Sequence, residues 1–206
     1  MIVVLDAMGV MYRTPEGWSG NLSSFVDSLG ATRARDKRDE FVSKYYEVTK
    51  GICSTEELWC WCGLEPAGLD ERYASGYVTN PGLRQFVDLM GRLGVRLACL
   101  SNDALPWSVL LRERFGLAKR FEAWVISSEV GVRKPDVPIY EVLQEQMDVP
   151  WGEMVLVDDT TENLDTAAAL GMRTVLFAGR PATSSHTQVA DFGGLGELVW
   201  DWISDR

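Results

Sequence analysis

The sequence predicts an α/β fold: a doubly wound parallel sheet carrying a small helical cap domain. Three observations predict it. Short apolar runs rich in β-branched residues recur along the chain, and polar residues follow each of them. Helical patterns separate these runs, the alternation that builds a parallel sheet covered on both faces. The interval after the first run is far too long for a connector and carries only helical patterning.

The elements follow in order. Met1–Leu5 reads as a buried strand ended by Asp6. Met8–Gly20, with Gly9, Pro15, Gly17 and Gly20, reads as a hinge or flap. Asp36–Lys50 is amphipathic, and Ser54-Thr55-Glu56-Glu57 is a capping box that opens another helix. The expected division is residues 1–14 and 81–206 for the sheet domain, and 15–80 for the helical cap. Asn80-Pro81 reads as an N-cap followed by proline at the first helical position, opening a helix to about Arg92. Further strands are expected at Val95–Leu100, Trp124–Ser127, Met154–Val157 and Thr174–Phe177. Helices are expected at Leu105–Phe115, Ile139–Met147, Asn163–Leu170 and Leu195–Ile203, the last carrying Trp200 and Trp202 onto the sheet edge.

Bulk composition narrows the function. A hydrophobic fraction of 46% with 24% charged residues is that of a globular protein, not a disordered chain. Thirty acidic against 20 basic residues give a net charge of −10, which argues against a duplex nucleic-acid partner. An anionic substrate then needs local rescue by a lysine, backbone N–H groups or a metal. No apolar run has the length of a membrane span, and the opening run lacks the basic flank of a signal peptide. The expected location is the cytoplasm, with Cys53, Cys60, Cys62 and Cys99 reduced. Cys60-Trp61-Cys62 lacks the usual zinc spacing and the sole histidine, His186, is distant, so the thiols read as small core hydrophobes.

In such sheets ligands bind outside the carboxyl ends of the strands. The polar residues placed there are Asp6, Ser101-Asn102-Asp103 and Asp158-Asp159, with Lys134 in the loop after the third strand. Asp6 reads either as a strand-ending helix cap or as a nucleophile or metal ligand; a carboxylate can attack phosphorus or carbon to form a covalent intermediate. Asp158 and Asp159 either cap the helix at Asn163 or share a hard cation, and with Asp6 nearby we read them as a Mg²⁺ site. Lys134, within Gly131-Val132-Arg133-Lys134-Pro135-Asp136, is a compact charge that can neutralise an attacking carboxylate and the group it receives. Ser101 offers a hydroxyl, and backbone N–H groups near Asn102 can hold an anion at a helix N-terminus.

Taken together and in order, these segments resemble the four motifs of the haloacid dehalogenase-like hydrolase superfamily, over essentially the whole chain. Leu5-Asp6-Ala7-Met8-Gly9-Val10 resembles the first, Leu100-Ser101-Asn102 the second, Arg133-Lys134-Pro135 the third and Leu156-Val157-Asp158-Asp159 the fourth. The long insertion matches the cap of the subgroup that places it after the first motif. The resemblance implies that Asp6 is the nucleophile, and that Ser101 and Lys134 hold the substrate anion and the nucleophile. It further implies that Asn102 and Met8 border a small phosphorylated substrate, and that Asp6, the Met8 carbonyl and Asp159 ligate Mg²⁺ with Asp158 in support. The fourth motif often carries another acid four residues on; here Asn163 stands there.

Met8 is the departure. In the family's phosphatases the residue two after the nucleophile is a second aspartate, which protonates the leaving oxygen and then activates water. Met8 can do neither, and such acid–base help is worth about 10²–10⁴ in rate. Three readings follow: a Mg²⁺-dependent phosphatase or phosphotransferase with altered acid–base chemistry, a 2-haloacid dehalogenase, or a non-catalytic relative that binds a phosphorylated ligand or a partner. The dehalogenase branch also lacks the second acid, but it replaces the fourth-motif acids that this chain keeps. Elsewhere, Tyr45, Tyr46, Trp59 and Trp61 read either as walls of an aromatic pocket or as cap core. Arg33, Arg35, Lys37 and Arg38 read as a solvated helix end, and His186 falls in a loop-like stretch without an assigned role.

Overall fold

The computed structural model describes residues 1–14, 22–180 and 183–204; Pro15, Gly17 and Gly20 of the expected hinge lie outside them. Strand β1 (Ile2–Leu5) is followed by a two-residue strand, β2 (Tyr12–Arg13). Helices α1 (Leu22–Ser28), α2 (Arg33–Asp36), α3 (Arg38–Thr49), α4 (Thr55–Trp61) and α5 (Leu69–Ser75) come next. Strand β3 (Val78–Thr79) then pairs antiparallel with β2, so a small ribbon joins the two ends of the helical insert. The chain continues through α6 (Leu83–Leu93), β4 (Arg96–Ser101), α7 (Leu105–Arg114), β5 (Ala123–Ile126) and α8 (Ser127–Val130). It ends with α9 (Val137–Met147), β6 (Met154–Asp158), α10 (Thr161–Ala169), β7 (Arg173–Phe177), β8 (Thr187–Val189) and α11 (Phe192–Ser204).

The six main strands form a parallel sheet in the order β5-β4-β1-β6-β7-β8. From β1 the chain moves outward to β4 and β5, then crosses back to lay β6, β7 and β8 on the other side. That reversal opens a crevice at the carboxyl ends of β1 and its neighbours. Successive β1 residues alternate between two apolar layers, Ile2 and Val4 on one face, Val3 and Leu5 on the other. Burial on both faces is why this strand reads as an unbroken apolar run.

One expectation changes. The helix after residue 80 starts at Leu83 with Gly82 (φ +85°) before it, so Asn80 is not its cap. The Asn80 amide instead donates to the carbonyls of Gly9 (2.9 Å) and Val10 (2.6 Å), and its backbone N–H donates to Met11 (2.9 Å). A two-donor amide satisfies the carbonyls left over by the tight turn after β1. The stretch around His186 leads into β8, an edge strand of 3 residues that is too short to show a period. His186 sits between Thr174 Oγ1 (2.8 Å) and Asp165 Oδ1 (3.0 Å). The four cysteines are free thiols. Among the described residues no helix is long and apolar enough to cross a membrane.

The helical insert has no separate core. One apolar cluster runs from Val3 and Leu5 of β1 into Phe25, Trp59 and Tyr73 of the insert, with Trp107 of α7 between them. Asp70 on α5 latches this junction. Its Oδ1 accepts the indole N–H of Trp59 (2.8 Å) and of Trp107 (2.6 Å), while Oδ2 accepts the Thr55 hydroxyl (2.7 Å). Both indoles are fully buried, so Asp70→Ala would leave two donors without partner or water. The expected loss is about 2–6 kcal/mol, at 1–3 for each stranded group, read from the urea unfolding midpoint. Asp70→Asn, which keeps one acceptor oxygen, should lose less. An unchanged midpoint in Asp70→Ala would show that the latch carries no weight.

Candidate active site

Sheet register builds the site. Leu5 lies opposite Val157 of β6 and Cys99 of β4, so the residues that follow emerge at one rim. The Asp6 N–H still donates to the Val157 carbonyl (2.9 Å), which carries the ladder one residue past β1 and sets Asp6 beside Asp158. Lys134 enters from the loop between α8 and α9 with its side chain only 1% exposed. Its ammonium donates to Asp6 Oδ1 (2.8 Å) and Asp158 Oδ2 (2.6 Å). Asn102, just beyond β4, fixes that loop: its amide nitrogen donates to the Lys134 carbonyl and its amide oxygen accepts the Lys134 N–H, both at 2.8 Å. The Asn102 side-chain amide is thus engaged in holding Lys134 in place.

Asp158 spends both oxygens inside the protein. Oδ1 accepts from the Thr160 N–H (2.9 Å) and the Asn163 amide (3.0 Å), and Oδ2 from Lys134 and again Asn163 (3.1 Å). It is a positioning group for Lys134 more than a free ligand, and Asn163 is the donor that keeps it so. Asp159 is exposed at the rim, with Oδ1 accepting from Thr160 Oγ1 at 3.3 Å. The carboxylate oxygens of Asp6, Asp158 and Asp159 lie within 4.8 Å of one another. Three acids therefore face one ammonium.

The electrostatics follow from that imbalance. Burial pushes the Asp6 carboxyl up, Lys134 pulls it down and the two neighbouring acids push again, leaving it at about 7. Asp159 is also raised, by its surroundings first and by Asp158 second. For Lys134, burial favours the neutral amine, but Asp158 and Asp6 more than offset it and hold the ammonium above its ordinary range. An all-oxygen donor set with excess negative charge suits a hard cation. Of the three acids, Asp6 and Asp159 are the ones whose oxygens are not all engaged among the described residues. Ser101 is buried at the end of β4, and its hydroxyl has no partner among the described residues, as a group kept for an anion would be.

Met8 is half-buried and its side chain lines a cavity of about 440 Å³ between the rim and the insert. Asp103 shares that lining and is almost fully buried. Its Oδ1 accepts the Ala104 N–H (2.8 Å), and Oδ2 has no partner among the described residues. The sequence placed Asp103 among the polar strand-end residues without a role. The four insert aromatics divide. Tyr45 lines the cavity, Trp59 is core, Trp61 carries the Arg33 guanidinium at 4.5 Å and Tyr46 faces Arg133 at 4.4 Å. Of the remaining basic residues, Lys37 pairs with Glu40, while Arg35 and Arg38 are exposed where the cavity opens.

Comparison with known proteins agrees with this fold. A family model described as haloacid dehalogenase-like hydrolase matches residues 24–171. A HAD phosphatase from Thermococcus onnurineus superposes with a TM-score of 0.75 at 17% identity, over 96% of this chain and 97% of that one. L-2-haloacid dehalogenase from Xanthobacter autotrophicus gives 0.70 at 18% identity, over 97% and 99%. At these identities the likeness is one of fold. Protein CbbY of Cereibacter sphaeroides is 28% identical over 123 residues, 58% of this chain and 51% of that protein. The chain spans between about half and two thirds of the length of such curated relatives.

The rim also depends on a backbone position. Gly9 has φ +86°, and a Cβ there would lie 1.9 Å from Asp159 Oδ2. Gly9→Ala must strain the turn and displace that carboxylate, at an expected cost of about 1–3 kcal/mol in urea unfolding. A variant as stable as the wild type would show that the turn yields freely.

Proposed function

The chain belongs to the haloacid dehalogenase-like hydrolase family, and from that premise we propose that it is a Mg²⁺-dependent phosphatase or phosphotransferase acting on a small phosphorylated molecule through a phospho-aspartate on Asp6. One observation carries the reading: a buried carboxylate, gripped on one oxygen by Lys134, stands at the switch-point rim beside further acids that a cation would balance. The helical insert, residues 15–80, acts as the cap over the core formed by residues 1–14 and 81–206.

The residues divide the work. Asp6 attacks phosphorus, forming a mixed anhydride and releasing the alcohol. Lys134 orients Asp6 and offsets the charge that gathers on the phosphoryl oxygens, in a site where water does not weaken it. The Ser101 hydroxyl donates to one of those oxygens. Mg²⁺ held by Asp6, Asp159 and the Met8 carbonyl would neutralise the substrate's remaining charge. This local positive charge answers the repulsion from a surface of net charge −10, which also disfavours nucleic-acid partners. A cytoplasmic location goes with this proposal.

Met8 favours a second reading, a 2-haloacid dehalogenase, because displacing halide needs no acid for the leaving group. Against it, Asp159 would then face Asp6 with no cation between them.

Asp6→Asn should abolish phosphate release from p-nitrophenyl phosphate and acetyl phosphate, and EDTA should do the same to the wild type. Met8→Asp places a carboxyl beside the leaving group and should raise turnover by about 10² for alkyl phosphates whose ester oxygen meets no other acid. Phosphate release that persists in Asp6→Asn would end the mechanism. EDTA-insensitive halide release from 2-chloropropionate would favour the dehalogenase. Thermal stabilisation by Mg²⁺ and phosphate without turnover would favour a binding protein.

A further inference from the structure

The cavity beside Met8 has features that the reaction at Asp6 does not by itself require. Its volume of about 440 Å³ lies in the range of small-molecule sites. Phe41, Tyr45, Tyr73, Tyr77 and Trp107 form much of its wall. Several polar atoms on that wall are already engaged. The Tyr73 and Tyr77 hydroxyls bond each other (2.6 Å), and the Trp107 N–H is held by Asp70. Against these aromatic faces a polyol would lose water and gain little, whereas a hydrocarbon would lose nothing; Asp27, Arg35 and Arg38 supply the charged part of the lining. Within this setting Asp103 is anomalous. It is a carboxyl only 3% exposed, with one oxygen tied to Ala104 and the other bare among the described residues.

Building on the phosphatase reading, we infer that this cavity is the leaving-group pocket, that it takes the apolar, ring-sized half of a phosphomonoester, and that Asp103 meets the ester oxygen there and supplies the proton that Met8 cannot. The balance is complete. As Asp6 attacks, the bond from phosphorus to the ester oxygen breaks, and that oxygen takes the Asp103 proton to leave as the alcohol. Water then attacks the phospho-aspartate and returns a proton to Asp103, and the bond from phosphorus to Asp6 breaks to release phosphate. The surroundings keep Asp103 protonated to near neutrality: burial and the Asp6 charge push it up to about 7, against the Ala104 N–H and Arg133. The other titratable groups around it are Tyr12 of β2, Cys99 of β4 and Tyr45, Tyr73 and Tyr77 of the insert. All of these are raised and stay neutral where Asp103 titrates.

The test compares 2-(1-naphthyl)ethyl phosphate with glucose 6-phosphate, two primary alkyl esters of similar leaving-group demand, with p-nitrophenyl phosphate as an ester that needs no acid. Wild-type kcat/KM should favour the naphthyl ester by about 10–100-fold, the scale on which an apolar pocket discriminates. Asp103→Asn keeps the Ala104 acceptor and removes the proton; it should lower the ratio of naphthyl to p-nitrophenyl turnover by about 10². The wild-type naphthyl rate should also carry a limb that falls as pH rises, beyond the rising limb set by ionisation of Asp6, and Asp103→Asn should lack the falling limb. No preference over glucose 6-phosphate, or equal loss on both esters in the variant, overturns the inference while Asp6-dependent cleavage of p-nitrophenyl phosphate leaves the phosphatase reading standing. Should Asp103→Asn fail to fold, the wild-type substrate preference still decides. If the wild type releases no phosphate from any ester, both fall together.

Discussion

The site depends on one buried cation. Lys134 brings its ammonium between Asp6 and Asp158, groups separated by most of the chain, where the sheet changes direction. Leaving any of the three unpaired in that interior would cost several kcal/mol, so the arrangement is close to all-or-none. The surrounding bonds make it rigid. Asn102 brackets the Lys134 backbone, and Asn163 with the Thr160 N–H saturates Asp158. The carboxylate proposed to react is thereby held by a scaffold whose members are themselves held.

The balance of charge gives the site its character. A single ammonium among three acids leaves a deficit on the rim side, toward Asp159 and away from the sheet. Asn163 matters here. An acid at that position would face Asp158 as a like charge; the amide donates to it instead. The protein thus spends its neutral donors on the inner acid and leaves the outer ones for a ligand.

The insert belongs to the same design. Its aromatics share a cluster with the sheet, and Asp70 ties α4, α5 and α7 together at the indoles of Trp59 and Trp107. Packing of this kind fixes the wall of the cavity that Met8 and Asp103 line. Met8 adds an apolar side chain to that lining.

Much of this was legible in the chain. A run such as Ile2–Leu5 can only be a doubly buried strand, and an acid directly after it lands at the rim, because strand geometry is local and burial is written in composition. The same reasoning located Ser101, Lys134 and the Asp158–Asp159 pair, and the resemblance to a known family ordered them. What the chain could not say was which donor meets which acceptor. Asn80 looked like a cap and instead staples the turn after β1; the Asn102 side chain braces Lys134; Asp103, which the sequence left without a role, keeps one buried oxygen without a partner among the described residues. Local pattern determined the elements and the rim on which the polar groups stand, whereas pairing, burial and the bare oxygen were decided by tertiary packing, because each depends on residues that are neighbours only in space.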